Sequence, residues 1–541
     1  MSYMPFSFVR RVLAVSVKIT VPLLFFNHVV AKEYIVKLKN NQDVYHLNFL
    51  SPAADIVYEI LDTEENLNLL KIEADTDNLS GNPIPILEDH FDAEYAVENV
   101  TLHAFVDASD PRRTEQWALD MVKAVEAWGI SEGTRSVVVA VVDSGVAVAH
   151  EDLKDNLWVN GNETPNNGID DDNNGFIDDI NGWDFSGNDK DPTDEVGANN
   201  PGHGTHCAGI IGASCGNGLG VCGISPKVSL MAVRFLDANG SGDLFASTKA
   251  MSYAVNNGAH IISASWGATI PESQAQPIID AIKHAEERGV IFVAAAANDG
   301  KSNDTASVYP ANAQTPNMIS VAASNRLDEK PSWSNYGRKV DIAAPGENIL
   351  STIPSGYREL SGTSMATPLV SGLVALMKSI DISLTGAVLR SILQTTGKQV
   401  NIETASGRRV DAHEALKAVS EKRLTVVPAT KTLKPNDTFD FSAWGGTGPY
   451  RFSSSNPSVA TVDESGHLVA VSEGDVTLEV TDGSGTKASS VSIKIGHSAS
   501  PSPDTPCPFD NQMLCLIFCG IMPEMPWCKD LPLPELPIPG N

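Results

Sequence analysis

Apolar strands alternate with amphipathic helical stretches through the middle of the chain, from about residue 117 to residue 419. Short apolar runs bounded by turn residues predict buried strands at residues 137–142, 228–236, 260–266, 290–296 and 318–324. Apolar positions at helical spacing predict helices at residues 244–256, 273–288, 365–379 and 412–419. This alternation predicts an α/β domain, doubly wound, with a mainly parallel sheet.

Other patterns flank this domain. Strand-like stretches at residues 34–38 and 96–102, with apolar positions between them, predict a small α+β unit. Residues 424–496 alternate Val, Thr and Ser between turn dipeptides, which predicts a β-sandwich. We therefore divide the chain into five segments: 1–31, 32–110, 111–421, 422–496 and 497–541.

The first 31 residues have the composition of a secretory signal peptide. Arg10 and Arg11 precede a mostly apolar stretch, and residues 29–31 are small or apolar at the expected cleavage positions. A membrane anchor is the alternative, but the uncharged segment between Lys18 and Asn27 is too short to span a bilayer. Export predicts an oxidising setting for the seven cysteines.

The tail combines many prolines with four of these cysteines: Cys507, Cys515, Cys519 and Cys528. Four cysteines allow three pairings, so two disulfides are one interpretation. A zinc knuckle is the other, although the tail lacks a C-x-x-C pair.

Charge narrows the function classes. The 541 residues include 38 basic and 67 acidic side chains, which gives a formal net charge of −29. No basic stripe is present, which argues against a nucleic-acid partner. The acidity is consistent with solubility outside the cell and with cation binding.

Three separate motifs carry candidate chemistry. Asp143 ends a predicted buried strand, His203 opens a helix within Gly-His-Gly-Thr-His (202–206), and Ser364 lies at a helix entrance within Gly-Thr-Ser-Met-Ala-Thr-Pro (362–368). An acid can orient a histidine, and the histidine can accept the proton of a serine that attacks a carbonyl. The three together predict a nucleophilic serine, although each alone has a structural explanation.

These motifs resemble those of the subtilisin-like serine proteases, and the similarity covers about residues 117–419. The resemblance implies that Asp143, His203 and Ser364 form the catalytic triad. It also implies that Asn298 and the Ser364 backbone N–H form the oxyanion hole. Residues 32–110 resemble the inhibitory propeptide of that family, cut by the enzyme itself near residues 103–110. Residues 453–462 resemble bacterial immunoglobulin-like domains, which serve in adhesion, in substrate docking or as spacers.

The resemblance also assigns the substrate-binding positions. Two segments, Gly240-Ser241-Gly242 and Ser265-Trp266-Gly267, match those between which a substrate lies as an added strand, and Ala296 and Ala297 precede the oxyanion donor. This chain has Ala297 where the family usually has Gly, Trp266 where Leu is frequent, and Leu369 where His is frequent. Trp266 predicts apolar or aromatic substrate side chains if it forms a wall of the cleft. It predicts nothing about substrates if it packs in the core.

An acidic loop at residues 168–183 predicts a calcium site. Oxygen ligands alternate at Asp170, Asp172 and Asn174, the Phe176 carbonyl can contribute, and Asp178 stands at the ninth position. Asn181 replaces the usual Glu at the twelfth position, and a solvated acidic loop is the alternative. By resemblance, Asp110 and Asp152 match family positions that bind a second calcium.

Three cysteines lie within the predicted catalytic domain. Cys207 follows His203 by one helical turn, which predicts a buried thiol beneath the imidazole. Cys215 and Cys222 either pair across a Gly-rich loop, or Cys222 replaces a buried Ala.

The combined prediction is a secreted, extracellular and monomeric serine endopeptidase, made as a zymogen and supported by structural calcium. Its predicted partners are protein or peptide substrates and its own propeptide, without nucleic acid and without a membrane span in the mature form. One rival is a surface adhesin with an inactive protease-like domain. The other is an esterase or peptide ligase on the same scaffold.

Overall fold

The computed structural model describes residues 32–39, 57–64, 67–75, 83–99 and 110–496. The predicted signal peptide at residues 1–31, the predicted self-cleavage region at 103–109 and the cysteine tail at 497–541 lie outside the described residues. The chain divides into two compact units, Met1–Phe105 and Val106–Asn541.

The described part of the first unit is a small α+β fold. Its antiparallel sheet has the order β2-β3-β1-β4. The elements are β1 (Lys32–Leu38), β2 (Val57–Glu64), β3 (Leu69–Asp75), α1 (Ile84–His90) and β4 (Ala93–Glu98). Alternate residues of β1, namely Tyr34, Val36 and Leu38, are buried against Leu70 and Ile72 of β3, as expected for a sheet with one covered face.

The second unit contains a large sheet, nine-stranded within the described residues, in the order β16-β17-β13-β12-β10-β8-β5-β7-β6. All neighbouring strands are parallel except the short pair β16 and β17. The nine strands of this sheet are β5 (Gly133–Asp143), β6 (Gly182–Asp184), β7 (Lys227–Arg234), β8 (Ile261–Ala264), β10 (Ile291–Ala295), β12 (Met318–Ser324), β13 (Ile342–Pro345), β16 (Lys398–Gln399) and β17 (Arg408–Arg409). Two separate antiparallel pairs are β9 (Ala268–Thr269) with β11 (Val308–Tyr309), and β14 (Ile349–Ile353) with β15 (Gly356–Leu360). The helices are α2 (Trp117–Met121), α3 (Ala124–Trp128), α4 (His203–Gly212), α5 (Leu244–Asn256), α6 (Glu272–Glu287), α7 (Thr363–Ile380), α8 (Gly386–Thr396) and α9 (Ala412–Ser420).

The sequence pattern predicted much of this domain. The strand β12 and the helix α5 have the predicted bounds, and the other predicted strands and helices form with ends shifted by a few residues. The helix α8 and the strands β6 and β13 were not predicted. β6 and β13 are three and four residues long, too short to show a period.

The helix α7, which begins next to Ser364, is the central helix of the core. It is the only helix among the described residues that is long and apolar enough to cross a membrane, and 83% of its most apolar window is buried inside the protein. Its residues pack against the inner face of the parallel sheet. This burial identifies it as a core helix, and it holds the helix entrance in a fixed position.

The remainder of the second unit is rich in short strands around its own apolar core, which includes Phe441 and Phe452. The strands are β18 (Thr425–Val427), β19 (Thr430–Leu433), β20 (Thr438–Asp440), β21 (Ser442–Trp444), β22 (Arg451–Ser454), β23 (Ala460–Val462), β24 (His467–Ala470), β25 (Gly474–Val476), β26 (Leu478–Thr481), β27 (Lys487–Ser489) and β28 (Ser492–Ile495). This region contacts α8, because the Thr430 hydroxyl donates to the Gln394 side-chain oxygen at 3.1 Å.

Candidate active site

Asp143 and His203 meet at the carboxyl edge of the parallel sheet. Asp143 is the last residue of β5 and His203 is the first residue of α4. The His203 Nδ1–H donates to Asp143 Oδ1 at 2.7 Å, and the Ser144 backbone N–H donates to the same oxygen at 2.8 Å. Asp143 is buried, whereas the His203 side chain is 26% exposed. The imidazole can therefore contact a substrate while Asp143 remains shielded from solvent.

The environment of His203 favours the imidazolium form. Burial lowers the pKa of His203, but the charge of Asp143 and its hydrogen bond act in the opposite direction, and the Asp194 carboxylate adds to them. The net effect raises the pKa of His203 above its ordinary value. A histidine in this setting can accept a proton readily and hold it.

Two glycines allow His203 to lie so close to Asp143. Gly202 has a φ of 97°, and an added Cβ there would stand 2.1 Å from Pro354 Cδ. A Cβ on Gly204 would stand 2.2 Å from the Gly145 carbonyl oxygen. A larger residue at position 204 would push α4 away from the end of β5, and one at position 202 would clash with Pro354 in a conformation that favours glycine.

Ser364 is the second residue of α7. Its hydroxyl donates to the backbone carbonyl of Ser265 at 3.0 Å. Among the described residues, no hydrogen bond joins Ser364 to His203. The Ser364 carbonyl accepts from the Ser265 hydroxyl at 3.0 Å and from the Cys207 thiol at 3.4 Å, which connects α7 with α4 directly below the imidazole.

The amide of Asn298 is oriented by Thr363. The Thr363 N–H and hydroxyl both donate to Asn298 Oδ1, at 2.9 and 3.0 Å. An added Cβ on Gly362 would lie 3.4 Å from Asn298 Nδ2 and 3.5 Å from the Ser364 backbone nitrogen. The Asn298 side-chain amide and the Ser364 backbone N–H therefore border one space, which stays open because Gly362 has no side chain.

Ala297, which precedes Asn298, has a φ of 92°. A residue with a Cβ rarely adopts this conformation. Its N–H donates to the Thr363 hydroxyl at 3.2 Å and its carbonyl accepts from Asn335 at 2.9 Å. The surrounding hydrogen bonds thus hold Ala297 in a conformation that suits glycine.

Replacing Ala297 with glycine is expected to stabilise the protein. Relief of the positive φ contributes about 1–3 kcal/mol, and the added flexibility of the unfolded chain removes about 0.4–1 kcal/mol, so the free energy of unfolding should rise by on the order of 1 kcal/mol. Urea unfolding of both proteins in a Ser364→Ala background, which prevents self-digestion, measures the difference.

Ala296→Gly is the matched control for this substitution. Ala296 is fully buried and is not among the residues with positive φ, so the loss of its methyl group should destabilise the protein. An Ala297→Gly variant as unstable as Ala296→Gly would contradict the argument.

The predicted substrate-binding positions fall into two groups. Gly240, Ser241, Gly242 and Gly267 are exposed, and Ser265 lies next to Ser364 as described above. Ala296 is enclosed, because its N–H donates to Val321, its carbonyl accepts from the Asn303 amide and its methyl group is buried. The structure therefore leaves no surface of Ala296 for a substrate.

Trp266 combines both of its predicted alternatives. Its indole N–H donates to the Val142 carbonyl at 2.8 Å, and its ring packs edge-on against Phe235 with 4.9 Å between centroids. The residue nevertheless remains partly exposed. Trp266 is thus anchored to the core, next to Asp143, while part of its surface stays open.

Cys207 is buried and unpaired, as predicted. Burial raises the pKa of its thiol well above the ordinary value, so it stays protonated and acts as a packing residue beneath the imidazole. Cys215 and Cys222 form a disulfide.

The acidic loop folds differently from the predicted ligand set. Asp172 converges with Glu163 and Asp179, whose carboxylate oxygens lie within 4.8 Å of one another. Asp178 instead pairs with Lys190 at 2.9 Å, which lowers the pKa of Asp178. Asp170 accepts the backbone N–H groups of the turn that follows it.

The other members of the predicted ligand set are placed as follows. The Asn174 amide donates to both Asp172 and Asp179, and the Phe176 ring packs against Trp183 and Tyr253. Glu163 and Asp179 were missed because neither belongs to the alternating pattern of the loop. Glu163 precedes the loop, and no spacing rule in the sequence points to it.

Asp110 and Asp152 hold one Gly-rich loop from two sides. Asp110 accepts the N–H groups of Gly216 and Gly218 at 2.8 and 3.0 Å. Asp152 accepts the Val221 N–H at 2.9 Å, and the Cys215–Cys222 disulfide closes the same loop. The structure therefore brings the two predicted acids to the same segment.

Comparisons with known proteins identify the family of this fold. Residues 134–417 match the subtilase family, peptidase S8, and residues 436–484 match the immunoglobulin-like domain of intimin. Thermitase of Thermoactinomyces vulgaris is 38% identical over 307 residues, which cover 56% of this chain and 96% of thermitase. The thermophilic serine proteinase of Bacillus sp. (strain AK1) is 35% identical over 321 residues, covering 58% and 69%.

A solved structure of proteases from Pseudoalteromonas arctica PAMC 21717 covers 58% of this chain and 99% of its own chain, with 27% identity and a TM-score of 0.49. The fold, the site and the sequence relatives together define a serine endopeptidase. The chain belongs to the subtilase family and carries an immunoglobulin-like region after its catalytic domain.

Proposed function

We propose that this protein hydrolyses peptide bonds with Ser364 as nucleophile, His203 as general base and acid, and Asp143 as the residue that orients the imidazole. Asn298 Nδ2 and the Ser364 N–H would bind the oxyanion. The observation that carries the proposal is the 2.7 Å contact between His203 and Asp143 at a site where two N–H donors face the space beside Ser364.

The reaction follows from these positions. The Ser364 hydroxyl turns from the Ser265 carbonyl toward His203, gives its proton to Nε2 and attacks the substrate carbonyl carbon. The C–N bond then breaks, the leaving amine takes the proton from His203, and an acyl-enzyme remains. A water molecule repeats the sequence, with His203 again accepting and returning the proton, and Ser364 is released.

Substrate would bind as an extended strand between residues 240–242 and 265–267. Backbone pairing accepts any extended peptide, which implies broad specificity. The exposed part of Trp266 favours apolar or aromatic side chains.

The flanking segments imply a zymogen. Residues 1–31 would direct export, and the small α+β unit would inhibit the enzyme until Ser364 cuts the chain near residues 103–110. The mature enzyme would then act outside the cell as a monomer on protein or peptide substrates.

Labelling with a fluorophosphonate tests the function. The matured enzyme should form a covalent adduct at Ser364, identified by peptide mass mapping. Because the reaction needs neutral His203, and its pKa is raised, the labelling rate should fall as the pH is lowered through that raised value. A folded protein that stays unlabelled at alkaline pH would favour an inactive scaffold.

Calcium is the proposed structural cofactor. Glu163, Asp172 and Asp179 fit a hard cation because three carboxylates converge. Burial raises the pKa of Asp179, and a bound cation would favour its charged form. Calcium there would offset the repulsion between these charges and hold the acidic loop against α5. Asp110 and Asp152 are the proposed ligands of a second ion.

Replacing Glu163 with Gln and Asp172 with Asn together is expected to abolish stabilisation by calcium at the acidic loop. At a concentration about 100 times the dissociation constant, calcium stabilises a folded protein by about 2.7 kcal/mol. Thermal unfolding with calcium and with a chelator measures this gain. In contrast, the Asp170→Asn variant should keep most of the stabilisation by calcium. Complete loss of that stabilisation in Asp170→Asn would instead support the ligand set that the sequence predicted, which includes Asp170.

A further inference from the structure

Asp194 is a buried carboxylate in the loop that leads to α4, and the reaction described above does not use it. It is 5% exposed. Its Oδ1 accepts from the Ser144 hydroxyl at 3.0 Å and from the Asn200 amide at 2.9 Å. Its Oδ2 accepts from the N–H and the hydroxyl of Thr205, at 2.9 and 2.8 Å. One side chain thus receives four hydrogen bonds.

Each partner of Asp194 lies within three residues of Asp143 or His203 along the chain. Ser144 follows Asp143, and its hydroxyl accepts the Gly204 N–H at 2.9 Å. Asn200 Oδ1 accepts the backbone N–H of His203 at 2.8 Å. Asp194 therefore ties the end of β5 to the first turn of α4, the two elements whose separation sets the distance between Asp143 and His203.

The four hydrogen bonds stabilise the carboxylate form of Asp194. All four hydrogen bonds run from donors to its oxygens, and a proton on either oxygen would displace one of them. Burial raises the pKa of Asp194, whereas the bonds from Thr205 and Asn200 oppose that rise.

Few charged or titratable groups surround His203 and Asp194. Asp143 faces His203 from β5 and Asp194 faces it from the preceding loop, while His206 and Cys207 lie on α4 itself. Arg234, at the end of β7, is in the field of Asp194. Asp143 Oδ2 is buried without a hydrogen-bond partner among the described residues, so no further donor neutralises the triad carboxylate.

We propose that Asp194 is a positioning residue for catalysis, which holds His203 against Asp143 and whose negative charge stabilises the imidazolium formed during hydrolysis. The inference rests on the proposed function. It assigns Asp194 two separable effects, one through the hydrogen bonds to Ser144, Asn200 and Thr205, and one through its charge.

Asp194→Asn tests both effects. The amide removes the charge and sets an NH₂ group against two donors, so kcat should fall about 10- to 100-fold. KM for a peptide substrate should change little, because the substrate segments are not touched. Loss of a nearby negative charge lowers the pKa of His203, so the acid limb of kcat/KM should shift to lower pH.

Two further variants separate the effects. Ser144→Ala removes the bond to Asp194 and the bond from the Gly204 N–H but keeps the charge of Asp194, so kcat should fall less and the acid limb should stay in place. Asp341→Asn is the matched control. Asp341 is also a buried carboxylate, accepts the Ser320 N–H at 2.8 Å and lies before β13, at the opposite edge of the parallel sheet. Its replacement should lower the melting temperature without moving the acid limb.

The outcomes are distinguishable. An Asp194→Asn enzyme that is less stable but has unchanged kcat and acid limb would overturn the inference. If that variant does not accumulate as folded protein, an unchanged kcat in Ser144→Ala overturns the positioning effect. If the Ser364→Ala variant hydrolyses peptides as fast as the wild type, the proposed function itself is wrong.

Discussion

Replacement of Ser364 by alanine is expected to abolish peptide hydrolysis, with a loss of about 10⁵- to 10⁶-fold in kcat. The hydroxyl lies at the entrance of α7, directed at the Ser265 carbonyl, and it is the nucleophile of the proposed mechanism. Steady-state hydrolysis of a chromogenic peptide measures the loss.

The same variant should accumulate as an unprocessed precursor. If the chain cuts itself near residues 103–110, the Ser364→Ala protein keeps its first unit, and its mass on a gel exceeds that of the wild type. Ser361→Ala is the control. The Ser361 hydroxyl, in the loop before α7, accepts the Asn348 N–H and donates to the Asn348 side-chain oxygen, so its loss should leave both activity and processing intact. Normal maturation of the Ser364→Ala chain would refute self-cleavage.

Replacement of Asn298 by alanine is expected to lower kcat by about 10²- to 10³-fold, with KM nearly unchanged. The Asn298 amide is oriented through its oxygen by Thr363, so in the proposed mechanism its Nδ2 donor is preorganised for a charge that develops only in the transition state. The same steady-state assay, performed over a range of substrate concentrations, separates kcat from KM.

Asn298→Asp provides the sharper comparison. The carboxylate preserves the acceptor for Thr363 but sets a negative charge where the oxyanion forms, so its activity should be at least as low as that of the alanine variant. If Asn298 is only a turn residue, both variants would lose stability while keeping kcat. Such a result would remove Asn298 from the oxyanion hole.

Much of the catalytic fold was predictable because its signals are local. Gly258 follows the end of α5 with a φ of 83°, and a glycine just after the last periodic residue is a signal for a helix end that a sequence carries locally. The helix α8 carried a comparable signal, since the Thr385 side chain caps it by accepting the Val388 N–H. That helix was missed because a Thr before a short amphipathic run is common.

The site residues were predictable to different degrees. Asp143, His203 and Ser364 each lie within a distinctive small-residue motif, and the sequence pointed to them as a set, because each motif alone has a structural explanation. Ala297 was visible as a departure from the family pattern, but only its φ of 92° shows that it carries backbone strain. Trp266 left two interpretations open, and its hydrogen bond to the Val142 carbonyl shows that it is both anchored and partly exposed.

The sequence by itself determined the order of the elements and the chemical identity of the reactive groups, because strand and helix periods, glycine stops and motif residues are properties of short segments. Only the tertiary structure decided which distant side chains meet. Glu163 joins Asp172 and Asp179 because the long loop before β6 folds back on itself. Asp194 joins Ser144 to Thr205 because the end of β5 and the start of α4 meet at the carboxyl edge of the sheet. No local pattern encodes such a meeting, since it depends on how the whole sheet is ordered and packed.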